Sequence, residues 1–331
     1  MGIYVNGTNI ALLSLFHCFL QPKKIGVFMN IIKKTALALA ISALAGGTMA
    51  QSAPPAPAPA PSPITANVTV TNDYRYRGIS QSNFQPAIQG GFDYAHESGF
   101  YFGNWNSSIS WISDAYGNNG AIPGRMTGTT PNGTPMSAPV EMDFYAGFKK
   151  ELIGPGFVSD FGILQYYYPT SGVFNNRVAV NPNTTEIYAA QNFTYGAFSG
   201  FFKFSYAVSP LFGNVDSQGS YYPDLTVNYD AGDGLTVNAH VGYQYVAGKQ
   251  KTGADITNWV GNSVAGVSNN TLYSYTDWKL GLTKDLGGGL SGSIAYVGTN
   301  APSYRGANSY VNPNGKNLGQ DGVLISLTKT F

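Results

Sequence analysis

From Ile64 to Phe331 the sequence is built of segments about 10–13 residues long whose apolar side chains recur at every second position, the length and period of a tilted transmembrane β-strand. Val68 and Val70 with Tyr74 and Tyr76 alternate with Asn67, Thr69, Thr71, Asp73, Arg75 and Arg77. Tyr101, Trp105, Ile109 and Trp111 alternate with Asn104, Asn106, Ser108 and Ser110. The same period runs through Leu235, Val237, Ala239, Val241, Tyr243 and Tyr245, and through Val323, Ile325, Leu327 and Phe331. A pattern of period two cannot settle as a helix, whose faces repeat every 3.6 residues.

Twelve such segments are predicted, at 65–76, 86–96, 100–112, 139–150, 157–168, 184–195, 198–208, 220–230, 235–247, 273–285, 290–299 and 321–331. The links between them alternate strictly. Short, glycine-bearing ones fall at 97–99, 151–156, 196–197, 231–234 and 286–289. Long ones fall at 77–85, 113–138, 169–183, 209–219, 248–272 and 300–320. Tight turns at one end and long loops at the other are the pattern of a barrel with both termini on the same side of a membrane. The fold class expected is therefore all-β: a transmembrane antiparallel up-and-down barrel of about twelve strands. Closure follows from the lipid, which leaves an unpaired strand edge no water to bond.

Composition excludes the competitors. Only 11% of the 331 residues are charged, which argues against a nucleic-acid partner, and aromatics reach 14%. Aromatic residues gather near strand ends. Tyr76, Trp111, Tyr166, Tyr206, Tyr221, Tyr245, Tyr273 and Trp278 are expected to form the outer girdle, and Tyr94, Phe100, Phe157, Tyr229 and Phe331 the inner one.

The N-terminal part reads as export machinery. Residues 29–50 carry Lys33 and Lys34, an apolar run from Thr35 to Ala45, and small residues before an expected cut after Ala50: a signal peptide. Residues 1–28 do not fit in front of such a signal and are read as an upstream misannotated extension, with Met29 the expected start. Residues 51–63 alternate Ala and Pro, an extended linker. Removing residues 1–50 takes away Cys18 and four lysines, leaving 14 basic against 17 acidic side chains. The exported chain thus has no cysteine to form a disulfide or hold a metal.

If Val68, Val70 and Tyr74 face lipid, the opposite faces line the lumen. That set holds Asp73, Arg75, Arg77, Asp93, Glu141, Asp143, Glu186, Lys203, Asp224, Asp277 and Lys279. Turning such a charge outward at mid-bilayer costs about 2–4 kcal/mol for Lys or Arg. The wall charges could act as a transverse field on passing solutes or simply pair and fill the barrel. Twelve strands is an intermediate width, compatible with either an open or a filled lumen. Catalysis is not expected, because His96 and His240, the histidines beyond the signal, have no nucleophile in a recognisable motif. No cofactor or metal site is expected either.

The stretch Tyr74-Arg75-Tyr76-Arg77-Gly78-Ile79-Ser80, followed by Gln89-Gly90-Gly91-Phe92-Asp93-Tyr94 and Ser98-Gly99-Phe100-Tyr101, resembles the TorF-type porins, the Gcw_chp group of bacterial outer-membrane proteins. After Trp105 the sequence departs, with Asn106-Ser107-Ser108 where that group would have Gly-Ser-Asn. The resemblance implies a barrel in the cell outer membrane and a porin role. The terminal Phe331, with Leu327 and Ile325 behind it, is similar to the closing signature of outer-membrane barrels and implies recognition by the barrel-assembly machinery. The function expected is passive diffusion of small hydrophilic solutes through a polar lumen. The alternative is a non-conducting barrel whose long loops bind a ligand or a surface partner.

Overall fold

The computed structural model describes residues 62–116, 136–171, 180–252, 257–258 and 260–331. The extension, signal peptide and nearly all of the Ala/Pro linker lie outside the described residues. In chain order the strands are β1 (Ile64–Thr71), β2 (Arg75–Tyr76), β3 (Ile79–Ser80), β4 (Ala87–Ala95), β5 (Phe100–Ser108), β6 (Val140–Gly154), β7 (Phe157–Tyr167) and β8 (Thr184–Tyr195). They continue as β9 (Phe198–Ala207), β10 (Tyr221–Gly232), β11 (Leu235–Gln244), β12 (Tyr275–Gly287), β13 (Leu290–Thr299), β14 (Ser303–Tyr304), β15 (Ala307–Asn308) and β16 (Gly322–Thr330). Twelve of them close a barrel of antiparallel neighbours. The chain's first and last strands complete it, with Asn67 opposite Thr330 and Thr71 opposite Ser326. The remaining four form two small hairpins, β2–β3 and β14–β15.

The outer surface is apolar along its height. Val68, Ile88, Phe102, Phe161, Ile187, Phe202, Leu225, Leu280, Ile294 and Ile325 are all exposed. In water so continuous a belt would drive aggregation; in a bilayer it is the solvent-facing surface. Phe100, Phe157, Tyr229 and Phe331 ring the end that carries the short turns. At the other rim Tyr206 is exposed and Tyr221 stacks on Tyr245 with centroids 4.7 Å apart.

Three sequence expectations are overturned at the loop end. First, β1 stops at Thr71 instead of running to Tyr76, and the chain turns inward. Tyr74, expected against lipid, is 6% exposed and packs on the Trp105 ring inside the barrel. Second, β5 ends at Ser108, and Trp111–Tyr116 forms a short helix. In β5 it is Phe100 and Phe102 that are exposed, whereas Trp105 joins the interior cluster. Third, Tyr76, Trp111, Tyr166 and Tyr273 are not girdle residues: they belong to apolar clusters in the barrel mouth. There Ile112, Ala138, Tyr168 and Leu211 are buried as in a soluble protein.

Tyrosine and glycine are abundant partly for one reason. Tyr188 lies across Gly162 of the neighbouring strand and Tyr222 across Gly242, so a Cβ at either glycine would meet the ring within 2.5 Å. Glycine lets a large ring lie flat along the wall, and the ring returns the packing that glycine forgoes.

Candidate functional site: a hairpin across the lumen

Between β1 and β4 the segment Asn72–Pro86 folds into the barrel. Its centre is the hairpin β2–β3, with Arg75 opposite Ser80 and Tyr76 opposite Ile79. The two-residue turn is Arg77-Gly78, with φ of 45° and 76°. Both values are positive, as the tight turn that matches strand twist requires. Glycine accepts this readily. Arginine does so at a cost, and a residue held in such a region marks a place where its side chain is needed.

The hairpin reaches from one wall to the other. At its base, Tyr74 donates to Glu141 Oε1 of β6 at 2.5 Å, and Tyr168 donates to Glu141 Oε2 at 2.6 Å. In mid-span, Tyr76 and Tyr166 of β7 share a hydroxyl–hydroxyl hydrogen bond of 2.6 Å. At its tip, a Cβ on Gly78 would sit 2.4 Å from Thr299 Cγ2 of β13 and 2.9 Å from Asp277 Cβ of β12. The hairpin carries its own internal brace. Asp73 accepts from Arg75 Nε at 2.5 Å, from Ser80 Oγ at 2.6 Å and from Ser82 Oγ at 3.1 Å. Arg75 Nη1 also donates to the carbonyls of Gly78 and Gln320.

Arg77 is held most closely. Its Nη2 donates to both oxygens of Glu186 on β8, at 3.0 and 2.7 Å, and its Nη1 to Gln244 Oε1 at the end of β11 at 2.5 Å. The guanidinium lies 4.1 Å from the centroid of Tyr222 on β10 and 4.9 Å from that of Tyr76. Arg77 and Glu186 side chains are 7% and 1% exposed. One guanidinium nitrogen thus spans both carboxylate oxygens while the other reaches the Gln244 amide, and the flat cation lies beside two rings, an arrangement that suits a planar guanidinium better than an ammonium.

The hairpin divides the lumen. On the loop side lies a vestibule of about 150 Å³. Its floor includes Tyr76, Ile79, Ser80 and Gln81, and its sides include Trp111, Tyr168, Phe212 and Tyr275. On the turn side lie two larger spaces. One, of about 430 Å³, is lined by Arg75, Arg77, Lys203, Asp224, His240, Asp277 and Lys279 among others. The other, of about 360 Å³, includes Tyr101, Asp143, Lys149, Asp160, Tyr188 and Lys203. Lys203 borders both spaces, its ammonium 4.1 Å over the Tyr188 ring.

The residues singled out in the sequence therefore separate into two groups. Asp73 and Arg75 sit on the inward segment, not on the first wall strand as expected, and Arg77, expected just past the end of that strand, is at the hairpin turn. Asp93, Glu141, Asp143, Glu186, Lys203, Asp224, Asp277 and Lys279 are on wall strands. Asp93 accepts from Tyr145 at 2.6 Å. His240 lies between Asp224 at 3.0 Å and Asp277 at 2.8 Å, with the Tyr222 hydroxyl 3.1 Å away. His96 sits at a turn, bonded to Ser98. Sequence reasoning missed Tyr76, Tyr166, Tyr222 and Gln244. The one available signal was Arg77-Gly78 between two short apolar-polar pairs, which is a hairpin turn seen without its strands.

Residues 55–331 match the family model described as a bacterial protein of unknown function (Gcw_chp). No curated protein matches the sequence. Among solved structures, a KdgM porin is similar at 6% identity and a TM-score of 0.42, over 81% of this chain and 98% of that one. A NanC porin gives 9% and 0.43 over the same shares. The outer-membrane phospholipase A of Escherichia coli gives 11% and 0.39, over 80% of this chain and 91% of that one.

Proposed function

The chain belongs to the Gcw_chp family, and from the geometry of its lumen we propose that it is an outer-membrane channel for small hydrophilic solutes, partitioned at rest by the hairpin around Arg77. The observation that carries this reading is the pair of polar spaces on the turn side, about 430 and 360 Å³, separated from the mouth by a hairpin bonded to both walls. A barrel needed only as a scaffold would gain by filling that volume with packed side chains. The resemblance to TorF-type porins in Tyr74–Trp105 favours the same role, and the turn end would face the periplasm. Passage would be passive, graded by size and by Asp93, Asp143, Lys203, Asp224 and Lys279 on the wall.

The test is a planar-bilayer recording of the refolded exported chain under a salt gradient. Ohmic steps are expected. Substituting Arg75 and Arg77 by Ala should shift the reversal potential toward cations, because Asp73 and Glu186 lose their partners. An unchanged reversal potential in a conducting double variant would remove both arginines from the path. The vestibule gives the second reading its support, since Trp111, Tyr168, Phe212 and Tyr275 offer ring faces to a loop-side ligand. A barrel that stays silent when Arg75 and Arg77 are both Ala, shown folded by heat-modifiable gel migration, would favour that reading.

A further inference from the structure

The grip on Arg77 is built almost wholly from the wall, and each wall residue is fixed by a bond that does not involve the hairpin. Gln244 Nε2 donates to the carbonyls of Tyr221 and Tyr245, which turns its Oε1 into the lumen. Tyr222 donates to Asp277 at 2.8 Å, which sets the plane of its ring. Tyr166 donates to Glu186 Oε2 at 3.2 Å. Four different strands therefore present a carboxylate, an amide oxygen and an aromatic face around one point. Arg77, Tyr166 and Tyr222 also line the space of about 430 Å³, so the point can be reached from the turn side.

We propose that Glu186, Gln244, Tyr222 and Tyr166 form a binding site for guanidinium-bearing solutes, which Arg77 of the hairpin occupies in the closed state. The proposal rests on the reading of the hairpin as a movable partition and names the class of solute that would move it. The physical reason is the Glu186 carboxylate, 1% exposed. If Arg77 withdrew alone, that charge would stay buried with only the Tyr166 hydroxyl and no opposite charge beside it, which is strongly unfavourable. A solute that brings a planar cation, with one nitrogen for the carboxylate and a second for the Gln244 amide oxygen, removes the penalty and makes opening accessible. Potassium has no N–H to donate, and an ammonium has no second nitrogen to reach the Gln244 amide while it pairs with the carboxylate beside the Tyr222 ring. Asp224 and Asp277 border the same space, as do Lys203 and Lys279, so the preference for a cation rests on Glu186.

The test uses methylguanidinium and the full exported chain, with potassium at equal ionic strength as the control. In Arg77→Ala the site is vacant. Methylguanidinium at millimolar concentration should then raise the midpoint of heat-modifiable gel migration, and potassium should not. Adding Glu186→Gln in the same chain should weaken that response about tenfold or more, because a charge-assisted pair becomes a neutral one. Arg77→Gln serves as a second variant should Arg77→Ala refold poorly, since it keeps a donor without the charge. An equal response to potassium, or a response that survives Glu186→Gln, would overturn the proposal. These readouts do not depend on conductance. A hairpin whose removal leaves conductance unchanged would defeat the partition reading while the binding result stood separately.

Discussion

The two halves of the barrel interior are made of different material. The loop half resembles the core of a soluble protein: Ile112, Ala138, Ala207 and Leu211 are at most 2% exposed, and Tyr74, Tyr166 and Tyr168 pack among them. The turn half is a polar shell around space, with tyrosines laid flat on glycines and charges such as Lys149 and Lys203 on its surface. Both are enclosed by the same strands, so the wall does not decide the difference. It is decided by the chain that returns inward, the hairpin and the loops packed above it. A barrel of this width is filled by what its loops bring to it rather than by its own inward side chains.

If the halves differ in this way, substitutions should act unequally on them. The largest effect is expected from Glu186→Gln, which breaks the buried pair and should cost about 3–5 kcal/mol in hairpin docking. Amide exchange over Tyr74–Ser82 should accelerate accordingly, while strand amides at the turn end keep their protection. Next is Gly78→Ala. A Cβ at φ of 76° costs about 1–2 kcal/mol, and here it also meets Thr299 and Asp277. The same exchange measurement should show a smaller but clear loosening.

Substitutions in the turn half should leave the hairpin alone. Lys203→Ala removes a cation that borders both spaces. It should move the reversal potential toward cations with no change in Tyr74–Ser82 exchange. Smallest of all is Lys149→Met, because Lys149 is half-exposed and pairs with Asp160 at only 3.5 Å. Such a pair contributes about 0–1 kcal/mol, so the unfolding midpoint should barely shift. A Lys203 or Lys149 variant that released the hairpin would erase the distinction between the halves.

How far the sequence could be read follows the same division. The wall was legible because lipid demands one answer at every second position. Val323, Ile325 and Leu327 have to face out, and a strand has only two faces. The loop half was not, because its apolar residues serve a local core with no fixed period. Tyr74 and Tyr76 resume the alternation of Val68 and Val70 after Asn72, which still bonds wall strand β16 through the Val323 carbonyl, yet from there the chain runs inward. Alternation cannot register that departure, since a hairpin strand has the same period as a wall strand. Trp111 misled in the same manner: it extends the Trp105 pattern but begins a helix. Arg77 was legible as a charge that must avoid lipid. Its partners were not, because Glu186, Tyr222 and Gln244 are 109, 145 and 167 residues away in sequence and meet only when the barrel closes.

The most direct test of the partition is single-channel conductance of the full exported chain, compared with the same chain in which Tyr74–Ser82 is replaced by a glycine-serine loop of equal length. Both are refolded and checked by heat-modifiable migration. The account predicts a several-fold larger unitary conductance for the replaced chain, since the two turn-side spaces would then open into the mouth. Equal conductance in two folded barrels would contradict it.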